Sequence, residues 1–220
     1  SPGQVIEHVL CHTDLSVIAI TDHDRLEGGL WARDLARRHG LDVIVGEEVS
    51  TADGHLLALF IEEPIVPGLP MEETVANVRA QGGLAIAAHP FDPLSSGLLS
   101  RGSRRWTEQE LIALQLDGLE TLNASLVRQV ANGRAARLAQ RLGLASVGGS
   151  DAHHLAAIGR AYTRFPGYTA EDLRRAIVER TARAAGRTWG WRQCVSWIPG
   201  CLIPRTIRRA QAKARAYGLA

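Results

Sequence analysis

Lysine is almost missing from this chain. Lys213 is the only one among 25 lysine and arginine residues, so nearly all the positive charge is guanidinium. Arginine grips phosphate bidentately and lysine does not, although the codon preference of a GC-rich genome gives the same bias. Cysteine is scarce too. Cys11, Cys194 and Cys201 are odd in number and form no CxxC pair, which excludes a disulfide framework and a thiolate zinc site and points to a reducing, cytoplasmic home. No apolar run approaches the roughly 20 residues of a membrane span, and no basic start followed by an apolar stretch marks a secretion signal. With one lysine there is no GxxxxGK[ST] phosphate loop, and no GxSxG elbow occurs, which excludes the common nucleotide-triphosphate and serine-hydrolase designs.

What is present reads as a soluble globular chain of ordinary domain size. The 220 residues are 45% hydrophobic and 22% charged, with a net charge of +2. Short β-rich runs alternate with helical stretches. Strands are predicted over 16–21, 41–45, 55–61, 84–88, 118–122 and 145–148. Helices are predicted over 26–39, 71–81, 108–116, 126–142 and 169–181, the last opened by Thr169 as N-cap with Asp172 three residues on. The stretch 93–105 is the longest predicted loop. Alternation of this kind predicts parallel β/α units closed, or nearly closed, into a TIM-like barrel.

The polar residues fall at strand ends. The run VIAITDHD ends in Asp22, His23 and Asp24; Glu47 and Glu48 follow the next strand; His89 follows another. Glu120 and Asn123 end a fourth, Asp151 and His153 follow a fifth, and His55 opens the remaining one. Strand ends of a parallel barrel share one face, so residues distant in sequence should converge there. Taken singly, His89 reads as a turn residue, Asp22 as a helix cap and Asp151 as an Asx-turn. Together they make a carboxylate-rich face, costly to bury unless cations neutralise it. Imidazole and carboxylate donors without thiolate suit zinc, manganese or iron. Several such donors on one face suit a multinuclear centre that hydrolyses phosphate esters with metal-activated hydroxide.

These residues also carry a resemblance. AITDHD (19–24), GEEVS (46–50), GHLL (54–57), AHP (88–90) and GSDAH (149–153) resemble, in order and spacing, the motifs of the PHP (polymerase and histidinol phosphatase) family of metal-dependent phosphoesterases, small stand-alone type. The likeness runs from Ser1 to about Phe165 and takes in IGRAY (158–162). It implies a distorted seven-stranded (β/α)7 barrel holding up to three divalent metals. Glu48 would bridge two of them, His55 and His89 would complete one site, Asp151 would ligate the other, and His23 with His153 would hold the third. Asp22 would orient a ligand, Asp24 would cap the next helix, and Arg160 would contact phosphate. His8 and His12 are expected to be exposed helix residues, and His154 a neighbour, not a ligand.

The resemblance further implies a first strand ending in an HxH motif and an Asp-bearing turn. The sequence given opens at Ser1-Pro2, where the following helix would start, so the barrel is expected to lack its first strand, as a fragment or as a degenerate member. The expected activity is hydrolysis of a small phosphomonoester or nucleotide, with no stable nucleic-acid complex. The alternative is a catalytically inactive module that binds a ligand or partner. Residues 1–185 are assigned to the phosphoesterase domain. Residues 186–220 are assigned to a Trp- and Arg-rich helical tail that packs on the barrel, with a membrane surface as the alternative.

Overall fold

The computed structural model describes residues 1–92, 96–100, 104–125 and 129–189. Ser1–Thr188 form one compact unit and Trp189–Ala220 a second. Residues 190–220 of the Trp/Arg-rich tail, with its expected helix and membrane or barrel contact, lie outside the described residues.

Helix α1 (Pro2–His12) leads into β1 (Val17–Ile20), α2 (Glu27–Ala36) and a single 3-10 turn over Arg37–His39. Then come β2 (Asp42–Ser50), β3 (His55–Leu59), α3 (Met71–Ala80) and β4 (Leu84–Ala87). The chain continues through α4 (Glu108–Ala113), β5 (Gly118–Asn123), α5 (Gln129–Leu142) and β6 (Ala145–Gly149). Last are β7 (Ala161–Arg164), α6 (Ala170–Val178) and β8 (Arg183–Gly186). The helix ends have local causes. Thr169 accepts from the Asp172 amide while Asp172 accepts from the Thr169 amide, both at 3.1 Å, so the capping box read in the sequence forms.

Six strands form one sheet in the order β1-β2-β3-β4-β5-β6, and β7 pairs with β8 separately. The sheet curls, because a single cavity of about 610 Å³ is lined from all six strands, by residues such as Ile20, Ile44, Leu57, Ile86, Glu120 and Val147. Its outer face packs on helices: Val45, Val49, Ala85 and Leu119 meet Val75, Val78 and Leu138 from α3 and α5. α6 places Ile177 against Ile44, Leu59 and Val147. Ile6 and Val9 of α1 pack with Ile18 and with Ala32 and Ala36 of α2. Among the described residues no helix is long and apolar enough to cross a membrane.

The sheet departs from the all-parallel expectation at one strand. β1 and β2, β4 and β5, and β5 and β6 pair in parallel, but β3 runs antiparallel to both β2 and β4. A four-residue turn explains this. Thr51 accepts at its Oγ1 from the amides of Asp53 and Gly54 and returns the chain as a hairpin, which a crossover of that length cannot do in parallel. The start of β3 therefore lies at the end of the sheet where the other strands finish. Among the described residues the sheet counts six strands, with β7 and β8 apart.

Gly54 is needed in that turn. Its φ is +145°, and a Cβ there would come within 2.7 Å of the Leu98 amide nitrogen and 2.8 Å of Ser96 O. Gly54→Ala should cost about 2 kcal/mol or more, read from urea melts. An unchanged midpoint would show that the segment 96–100 does not pack here.

Candidate metal centre

β2 sorts its two glutamates by strand alternation. Glu47 faces outward, is fully buried, and accepts from the Ile65 amide at 2.6 Å; burial pushes its carboxyl up. Glu48 faces into the sheet's concavity. Its Oε1 lies 2.8 Å from His55 Nδ1 and 2.8 Å from His89 Nε2, and its Oε2 lies 3.8 Å from His23 Nε2. One carboxylate thus spreads its two oxygens over three imidazoles. Burial alone would raise the Glu48 carboxyl, but hydrogen bonds with His55 and His89, with His23 nearby, hold it well below the usual carboxylate range.

Three strands deliver the imidazoles. His23 follows β1 and bridges to Glu48 in parallel register. His55 reaches the same place only because β3 is antiparallel. His89 follows β4 with φ of +27°, and Asp151 follows β6 with φ of +47°. Both take the left-handed region that non-glycine residues avoid. The His23 and His55 rings stand 5.0 Å apart, and those of His55 and His89 5.3 Å. Donor atoms of His23, Glu48 and His55 all lie within 4.8 Å of one another, as metal ligation requires. Nitrogen and oxygen donors gathered in this way fit a divalent cation.

His23, Glu48, His89, Asp151 and His153 line the cavity together with Asp22. His153 Nδ1 stays beside its own neighbour, 3.5 Å from Asp151 Oδ1. Arg160 does not line the cavity, although Gly159 and Ala161 on either side of it do. Two aspartates take roles other than those expected. The Asp22 carboxylate is exposed and, among the described residues, bonds to no histidine. It lies against Gly28, so close that a Cβ there would meet Oδ2 at 2.1 Å. That places it in the first turn of α2, where the helix dipole favours negative charge. Asp24 does not cap α2; its Oδ1 accepts from the Ser50 amide at 2.7 Å and pins the end of β2.

A second polar group was not assigned from sequence. Glu120 Oε2 accepts from the His89 amide at 2.8 Å and from Asn123 Nδ2 at 3.1 Å. Asn123 Nδ2 also reaches Asp151 Oδ2 at 3.3 Å. Burial pushes Glu120 up to about 7, against the opposing pull of His89 and the Asn123 hydrogen bond. A glutamate inside the apolar run GLETL was the available signal.

A curled α/β sheet with imidazoles and carboxylates gathered at one end defines a protein of the barrel-like α/β class with a candidate metal site. Comparison with known proteins narrows this. Residues 129–182 match the family model described as PHP-associated. An uncharacterised protein of Methanocaldococcus jannaschii is 39% identical over 110 residues, half of this chain and 59% of that protein. A two-domain protein of Bacteroides vulgatus, containing a predicted PHP-like metal-dependent phosphoesterase, superposes with a TM-score of 0.65 at 17% identity, over 83% of this chain and 60% of that one. The lesion-specific endonuclease Q of Pyrococcus furiosus superposes with a TM-score of 0.52 at 18% identity, over 83% of this chain and 53% of that one. The chain shares its fold with these PHP-like structures, and the family-model match lies within the same unit. The chain spans about three-fifths of the length of the curated relatives it matches.

Proposed function

We propose that this chain is the metal-binding part of a phosphoesterase. The carrying observation is Glu48 held between His23, His55 and His89 at the wall of a cavity that Asp151 and His153 also line. His55 and His89 share one Glu48 oxygen and His23 faces the other, so these four residues would hold the cation, with Asp151 and His153 as further donors. Divalent cations at such donors supply Lewis-acid polarisation of a phosphoryl oxygen and acidify a bound water. The chain's own part is to hold imidazoles and carboxylates in place before substrate arrives. Manganese, zinc and iron all suit the donors. A small phosphomonoester or nucleotide is the proposed substrate, and the likeness to a DNA-lesion endonuclease makes a diester the comparison to run.

The test is turnover of p-nitrophenyl phosphate, nucleoside monophosphates and an abasic-site DNA strand by chelator-stripped protein reloaded with Mn²⁺ or Zn²⁺. Metal-dependent hydrolysis, falling at least about 100-fold in His89→Ala and Asp151→Ala, is expected. Tight metal binding with no turnover of any substrate would transfer the assignment to a binding module.

A further inference from the structure

Resting on that metal-site reading, we propose that Glu120 and Asn123 are positioning residues. They form a buried polar tie that fixes the candidate ligands His89 and Asp151 relative to each other, and Asn132 of α5 clamps the tie.

The tie crosses three strand ends. Glu120 Oε2 takes the His89 amide from beyond β4, and Asn123 Nδ2 joins the same oxygen to Asp151 beyond β6. Glu120 is 3% exposed and Asn123 1%, so each bond is made where no water competes and a missing partner is costly. A β-bulge makes the arrangement possible. Glu120 pairs with Val147 and Leu122 with Gly148, leaving Thr121 as an extra residue. Residues three apart on a regular strand face opposite ways. The bulge turns Asn123 to the side of Glu120, as bulges do beside functional sites.

Both ends of the tie are braced. Asn132 Oδ1 accepts from the Asn123 amide at 3.1 Å, and Asn132 Nδ2 donates to Asn123 O at 3.0 Å. One side-chain amide therefore pairs with the end of β5 as a neighbouring strand would. Asn123 Oδ1 accepts from the Ser125 amide at 2.9 Å, which fixes the direction of its Nδ2. On the other side, Glu120 Oε1 occupies the space beside Gly149, where a Cβ would approach it to 2.4 Å. The glycine two residues before Asp151 leaves room for the carboxylate. His89 and Asp151 both sit in left-handed backbone conformations, which persist only when the surroundings hold them. The bond to the His89 amide and the bond to the Asp151 carboxylate supply that hold.

The experiment is Mn²⁺ titration by calorimetry on stripped wild-type protein, Asn123→Ala, Asp151→Asn and the double variant, with thermal melts of each. A wild-type protein that binds no Mn²⁺ overturns the metal-site reading. Given wild-type binding, Asn123→Ala should weaken it by about 10- to 100-fold while the fold persists, and should add less than about threefold in the Asp151→Asn background. Undiminished affinity in Asn123→Ala, or the full loss repeated in the Asp151→Asn background, would overturn the tie while leaving the metal site standing. Should Asn123→Ala not fold, Asn132→Ala removes only the clamp and should still weaken binding severalfold; no change there would also overturn it.

Discussion

Glu48→Gln should reduce divalent-metal affinity by about 100-fold or more, at or beyond the top of the range for losing a ligand's supporting partner. Glutamine keeps the size of the side chain and one carbonyl oxygen. It removes the negative charge that faces three imidazoles, and it presents an NH₂ group where His55 and His89 meet a single oxygen at 2.8 Å. The adjacent Glu47 does not compensate, because it faces the other side of β2 and bonds to Ile65. Calorimetry with Mn²⁺ and Zn²⁺ reads the effect, and unaltered stoichiometry and affinity would remove Glu48 from the site. The metal-free protein gives a second readout. The folded-state pKa of Glu48 lies below its unfolded value. Its ionised form therefore stabilises the fold above the ordinary carboxylate range, and this is lost as pH falls through the depressed value. Metal-free Glu48→Gln should melt below wild type at pH 6, and the two should converge in strong acid.

Glu120 predicts the opposite slope. Its folded pKa is pushed up to about 7 from 4.5 by complete burial, with His89 and Asn123 opposing. Between those values the folded protein holds a proton that the unfolded chain has released. Stability therefore declines as pH rises from about 4.5 to about 7. The gap is worth about 3 kcal/mol. Glu120→Gln keeps an acceptor for the His89 amide but cannot ionise, so this part of the decline should vanish. Urea midpoints of metal-free wild type and variant, compared at pH 5 and pH 8, isolate the term because other groups cancel. Parallel curves would mean that Glu120 ionises in the folded state as easily as in the unfolded one.

The opposed slopes of two glutamates in one cavity come from what each touches. Glu48 is surrounded by imidazoles; Glu120 meets an amide N–H, an asparagine and buried surface. Composition alone does not separate them, since both are glutamates near a strand end.

Local chemistry made much of this protein legible in its sequence. Apolar runs ending in DHD, EE, HP and GSDAH marked strands whose last residues are polar, and five of the six strands in the curled sheet place those residues where parallel pairing requires. Thr169 and Asp172 announced a helix start because a capping box lies within four residues. These features depend on neighbours in the chain. What depended on distant partners was decided only by the tertiary structure. β3 is antiparallel because a tight Thr51–Gly54 turn returns it, and that reversal puts His55 beside Glu48. β7 and β8 were not read as strands, since RAAG and AYTR gain their extended form by pairing with each other across the intervening residues 165–182. Asp24 pins the end of β2 in place of capping α2 because the Ser50 amide comes to it from a distant part of the chain, while Asp22 lies against Gly28 of α2. The bulge at Thr121 turns Asn123 toward Glu120, and a helix residue, Asn132, holds it there. The sequence by itself marked which imidazoles and carboxylates stand at the ends of strands; the packing of strands and helices decided which carboxylate meets which histidine, because hydrogen bonds across strands depend on register and register is a property of the whole sheet.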